Sequence, residues 1–169
     1  AAELIRSKQI SPSDLTQMQL ERIQQWDPYL KSYATLMAEQ AVETARQAEI
    51  DIVAGDYRGP LHGVPVAVKD LCYTRGVRTM GGAQVNTDHI PTYDATVVRK
   101  LTAAGAVLLG KLNLTEGAMG GYNPAFPIPI NPWHPQRTHS AAHKPRWNLQ
   151  GCRSHRSPGL HTRWGRQWR

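Results

Sequence analysis

The sequence predicts an α/β fold, a mixed or parallel sheet covered by helices, and three observations carry that prediction. Amphipathic helical stretches alternate with short apolar strands, one helix runs directly into a strand near residue 105, and capping signals mark helix starts. The 169 residues are 40% hydrophobic and 20% charged, which suits one domain and excludes disorder throughout. No apolar run approaches the ~18–20 residues of a membrane helix, and no charged-then-apolar leader opens the chain, so no membrane contact is expected. Two cysteines, Cys72 and Cys152, cannot make a disulfide framework and fit a reducing cytoplasm.

Each element has its own signal. Ser11-Pro12-Ser13-Asp14 reads as a helix start: a serine cap, proline at the first helical position and a carboxylate at the third. Leu15, Met18, Ile23 and Trp26 then fall on one broad face, with Pro28 beyond the end. A second helix is expected from about Leu36 to Val53, closed by Gly55. Leu61 to Val68 is short, β-branched and bounded by Gly59-Pro60, the pattern of a buried strand. Asp94 is the expected cap of a third helix carrying Val97, Val98 and Leu101, with Gly105 as its stop. Ala106 to Gly110 follows as another buried strand, and the proline-rich stretch from Gly120 to Pro135 must be an extended loop.

The formal net charge of +7 hints at nucleic acid, yet it sits in one place. Residues 136–169 hold eight of the 20 Lys and Arg and no acidic residue, leaving 12 basic against 13 acidic groups in residues 1–135. The same segment holds three of the five tryptophans and four of the seven histidines, without hydrophobic period. Two units are therefore expected: an ordinary body over residues 1–135 and an irregular basic tail over residues 136–169.

Lys69 closes the first apolar strand, where a charged group either snorkels to solvent or is placed for chemistry. Val66-Ala67-Val68-Lys69 is like the kinase V-A-I-K string. That reading fails, because Gly55, Gly59 and Gly63 do not form a phosphate loop and no H-R-D or D-F-G follows.

The longer run Gly59-Pro60-Leu61-His62-Gly63-Val64-Pro65-Val66-Ala67-Val68-Lys69-Asp70 closely resembles the lysine segment of the amidase signature family. Ser11 to Pro28 is similar to that family's opening helix. Asp94-Ala95-Thr96-Val97-Val98, Gly110-Lys111-Leu112-Asn113 with Glu116, and Asn131-Pro132-Trp133 match further signatures in order, so the resemblance covers about residues 1–135. It implies the N-terminal part of the amidase mixed sheet, and hydrolysis of carboxamides by a Ser–cis-Ser–Lys triad with no metal and no cofactor.

By the resemblance, Lys69 is the triad lysine, taking a proton relayed by the cis serine as the second serine attacks the amide carbon. A free lysine is almost wholly protonated at neutral pH, and burial disfavours the charged form. The role thus calls for a lysine shielded beside its apolar strand. Asp70 is expected to point away from Lys69, since strand neighbours alternate faces, and to act as a strand-end cap. Met119, Gly120 and Gly121, with Tyr122, stand where family members line the substrate cleft; a plain glycine turn is the other reading. His62, Cys72 and His89 receive no role.

The family's next motifs, a G-G-S-S-x-G loop with the cis serine and a D-x-G-G-S segment with the nucleophile, are absent. Ser140, Ser154 and Ser157 sit in no glycine context. The chain is accordingly expected to be a truncated, inactive fragment whose sheet has unpaired edges and uncovered faces. A shift of reading frame near Pro135 accounts for the tail. Arg146 to Ser157, back-translated with GC-rich codons and read one base later, permit G-G-T-S-R-G-A-A-A-T-A-A, much like the missing loop. Two other readings of the tail are not preferred: an amidase body gives a nucleic-acid arm no evident purpose, and cationic surroundings without a scaffolding hairpin argue against a metal. The tail's arginines, with Trp147, Trp164 and Trp168, could bind single-stranded nucleic acid. His139, His143, Cys152 and His155 have spacings a metal could use. A completed domain would take a small carboxamide in the cytoplasm, or handle glutamine as the amidotransferase subunit of tRNA charging.

Overall fold

The computed structural model describes residues 1–133, so the basic tail and every reading placed on it lie outside the described residues. A short helix α1 (Ala2–Arg6) leads into α2 (Pro12–Leu30), strand β1 (Tyr33–Leu36) and α3 (Ala38–Ala54). Strand β2 (Pro65–Lys69), helix α4 (Thr96–Ala103) and strand β3 (Val107–Leu112) complete the regular elements, with 3₁₀ turns at Gln84–Asn86 and Glu116–Ala118. Among the described residues no helix is long and apolar enough to cross a membrane.

Helix α2 starts as its sequence dictates. Ser11 is the cap, its Oγ accepting the Asp14 N–H at 2.9 Å, and Pro12 sits where a missing N–H costs nothing. Its end differs from expectation. Pro28 lies inside the last turn, and the helix stops at Lys31, which is left-handed (φ 55°) and donates its N–H to the Asp27 carbonyl at 2.7 Å. The Asp27 carboxylate then takes the Ser32 N–H at 2.6 Å and turns the chain into β1. The inward face also differs: Pro12, Thr16 and Leu20 are buried, whereas Met18 and Trp26 are half exposed. A threonine at helical spacing between two apolar residues fills the inward stripe that large side chains were expected to take.

The sheet is mixed, in the order β1-β3-β2. β2 runs parallel to β3, and β1 runs antiparallel to β3 on the other side. β1 had no expected counterpart: Leu36 belongs to it rather than to the second helix, which begins at Ala38. Each pairing slips by one residue, between Val66 and Ala67 and between Tyr33 and Thr35. β2 is shorter at its start than the expected strand, because Gly59 and Gly63 hold positive φ and bend the chain first. β3 runs on to Leu112, two residues past its expected end.

Helix α3 presents Ala41, Ala45, Ala48 and Ile52 at helical spacing, and the small side chains let it lie close to the sheet. Leu20, Ala41, Ala45, Val107 and Leu109 form the core, with Ile23, Tyr33 and Ala38 packed against it. Gly55 closes α3 in the left-handed region, as expected. Helix α4 is capped differently: its cap residue is Ala95, while Asp94 Oδ1 accepts the Arg75 N–H at 2.7 Å and fastens the preceding loop.

Candidate active site

Lys69 and Leu112 are paired at the carboxyl ends of the two parallel strands, the end at which open α/β sheets hold ligands. Lys69 is exposed. The shielding expected of it is not provided by residues 1–133. The buried lysine is Lys111, one residue earlier on β3 and opposite Val68, with 0% exposure. Side chains alternate along a strand, so Val68, Asp70 and Lys111 share the covered face while Lys69 and Leu112 share the other.

Asp70, only 1% exposed, points away from Lys69 as alternation requires. Its Oδ1 lies 3.6 Å from Lys111 Nζ, and its Oδ2 accepts the Met80 N–H at 2.9 Å. Lys111 Nζ donates to Thr79 Oγ1 at 2.7 Å. Burial pushes the Asp70 carboxyl up from its ordinary value, opposed by the Met80 N–H and the Lys111 charge. Burial pushes the Lys111 ammonium down, opposed chiefly by Asp70. Each charge therefore favours the ionised form of the other, against the larger effect of burial. Asp70 is more than a strand-end cap: it is half of a buried ion pair and also an anchor for the next loop.

That loop connects the two parts of the candidate site. Gly81 donates to the Asp70 carbonyl at 3.1 Å, and the Gly81 carbonyl accepts the Gly117 N–H at 2.9 Å. Gly82 has φ +71°, and a Cβ there would stand 2.8 Å from the Leu114 carbonyl oxygen, so the two loops meet backbone to backbone. Beyond Gly117, Met119 and Gly120 donate to the Glu116 carbonyl at 3.3 Å, and Glu116 donates to the Gly121 carbonyl at 3.1 Å. Met119 is 94% exposed, and Gly120 and Gly121 are exposed as well, with Tyr122 half-buried beside them. A chain of hydrogen bonds thus runs from the residue after Lys69 to the turn that holds Met119–Gly121.

His62 is a packing group, 1% exposed, with Nδ1 accepting the Arg58 N–H at 3.1 Å. His89 is exposed with its ring 5.2 Å from Tyr73, and Cys72 is a half-buried free thiol. Among the described residues no cluster of His, Cys, Asp and Glu could hold a metal ion. No serine occurs between Tyr33 and Trp133.

Fold and site together define an α/β domain with its polar loops gathered at the carboxyl end of a parallel strand pair. The particular family follows from comparison. The Amidase family profile matches residues 14–141, and the chain belongs to this family of hydrolases. It is 53% identical over 134 residues to the protein named "Putative amidase AmiD" of Mycobacterium tuberculosis (strain ATCC 25618 / H37Rv), covering 79% of this chain and 28% of that protein. It is 46% identical over 129 residues to a subunit of the glutamyl-tRNA(Gln) amidotransferase of Trichodesmium erythraeum, covering 75% of this chain and 27% of the relative. The solved structure of a bacterial aryl acylamidase of the amidase signature family superposes with a TM-score of 0.74 at 27% identity, over 83% of this chain and 30% of that one. The chain thus spans between a quarter and a third of the length of these relatives.

Proposed function

We propose that residues 1–133 are the lysine-bearing part of an amidase domain that cleaves the C–N bond of a small carboxamide in the cytoplasm. The observation that carries this reading is Lys69, exposed at the carboxyl end of β2 and tied through Asp70 and Gly81 to the Met119–Gly121 turn. In the completed domain the attacking serine loses its proton through the cis serine to the Lys69 amine as the new C–O bond forms. The Lys69 ammonium returns a proton to the departing nitrogen as the C–N bond breaks, and water then releases the acyl group. Met119, Gly120 and Gly121 line the substrate cleft.

The 169-residue chain lacks both glycine–serine motifs, and we propose that it does not hydrolyse amides by itself. The tail after Pro135 is a shifted reading frame; coding DNA that shows one clean frame, with no amidase motif downstream in any frame, would sink that part. The test of the site joins residues 1–133 to the remaining, serine-bearing part of an amidase of this family and assays simple carboxamides. Hydrolysis that falls to background in Lys69→Ala supports the reading. Turnover by the 169-residue chain, or by a joined protein carrying Lys69→Ala, would overturn it. The likeness to an amidotransferase component favours a second reading, glutamine as the amide, which glutaminase assay of the joined protein would separate.

A further inference from the structure

Buried ion pairs add little net stability, because desolvating two charges offsets most of their attraction. Two apolar side chains at positions 70 and 111 would hold β2 to β3 as well, but they would offer no acceptor to the Met80 N–H and no donor to Thr79. Those two contacts are what the charges achieve. Lys111 holds Thr79 through its hydroxyl, the Asp70 carboxylate holds Met80, and the Asp70 carbonyl holds Gly81. Three successive residues of one loop are therefore fixed to the strand ends next to Lys69. Gly81 and Gly82 in turn abut Gly117 and Leu114 of the loop that carries Met119–Gly121.

We propose that Asp70 and Lys111 are positioning residues: their buried pair sets the Thr79–Gly82 loop, and through it the Glu116–Gly121 turn, against the strand end that presents Lys69. The inference rests on the reading of Lys69 and Met119–Gly121 given above. The other titratable groups acting on the pair are the Arg78 guanidinium, on the Asp70 side, and the Cys72 thiol, on the Lys111 side.

The test needs no turnover, so its failure and the failure of the amidase reading are separate results. Residue-resolved hydrogen exchange of the 169-residue chain is compared for wild type, Asp70→Asn, Lys111→Met and the double variant. Each single variant should speed exchange at Met80, Gly81 and Gly117 by about tenfold or more, while amides of α3 around Ala45 keep their protection. The double variant leaves neither charge alone, so it should regain global stability, yet it still lacks the donor to Thr79 and should not regain the loop protection. Rescue by the conservative variant gives a second readout: Lys111→Arg, which keeps a positive charge and a donor toward Thr79, should retain more loop protection than Lys111→Met. Loop amides as protected as in wild type, losses spread equally over α3, or a Lys111→Arg variant no better protected than Lys111→Met would each overturn the proposal. Should a single variant fail to fold, Thr79→Val decides. It keeps both charges and removes the 2.7 Å bond, so unchanged protection at Met80 and Gly81 would overturn the idea.

Discussion

The imidazole of His62 lies where a side chain on Gly105 would have to begin. A Cβ on Gly105 would collide with His62 Cδ2, and Gly105 holds φ +79°. The same glycine accepts the Gly63 N–H at 2.9 Å, so the turn before β2 and the turn before β3 are locked together.

Gly105→Ala should therefore destabilise the fold on two counts, the left-handed backbone and the overpacked ring. The expected cost is about 1–3 kcal/mol, read as a lower urea midpoint with an unchanged slope. A midpoint equal to wild type would show that the two turns move apart freely.

His62 also makes stability depend on pH. Burial, helped by the Arg58 guanidinium, holds its imidazolium form below the ordinary 6.5. The unfolded chain then takes up a proton where the folded chain does not. Stability from neutral His62 is full above about 6.5 and is lost as pH falls below that value. In His62→Asn, whose side-chain oxygen can still accept the Arg58 N–H, the part of the slope between about pH 7 and pH 5 that His62 causes should vanish. Urea midpoints measured across that range check it.

At Lys69 the charge itself is the obstacle to substitution. In a joined, active domain Lys69→Arg should lower amide turnover by roughly 10²–10⁴-fold, nearly as far as Lys69→Ala, because a guanidinium cannot take up the relayed proton. Retention of most activity by the arginine variant would assign the lysine a purely electrostatic role.

The two lysines should differ sharply in what their removal does to folding. Lys111→Met strands the Asp70 carboxylate in the interior and should cost about 3–5 kcal/mol. Lys69→Met, at an exposed position, should stay within about 0.5 kcal/mol of wild type. Equal urea midpoints for the two variants would mean that water reaches Asp70.

Much of this was legible in the chain itself. The Ser11 cap, the Gly55 stop and the apolar runs of β2 and β3 are local signals, and local signals survive into the structure. β1 was not legible: Tyr33-Ala34-Thr35-Leu36 is a strand because Tyr33 meets Leu112, far along the chain, and nothing in four residues announces that. Lys69 was found through a motif, not through physics, and the burial expected of it belongs to Lys111. Alternation could not have found it: the slip after Val66 breaks the two-residue period on β3, so Lys111 pairs with Val68 rather than with Lys69.

The slip between Val66 and Ala67 decides which lysine meets which neighbour. Val66 stands opposite Leu108, so an unbroken ladder would continue in step and put Lys69 directly across from Lys111. Two ammonium groups would then be cross-strand neighbours, which is repulsive. Asp70 would be left on the far side with no counter-charge. One surplus residue in β3 turns a like-charge clash into a division of labour, with one cation kept for solvent and the other matched to its acid.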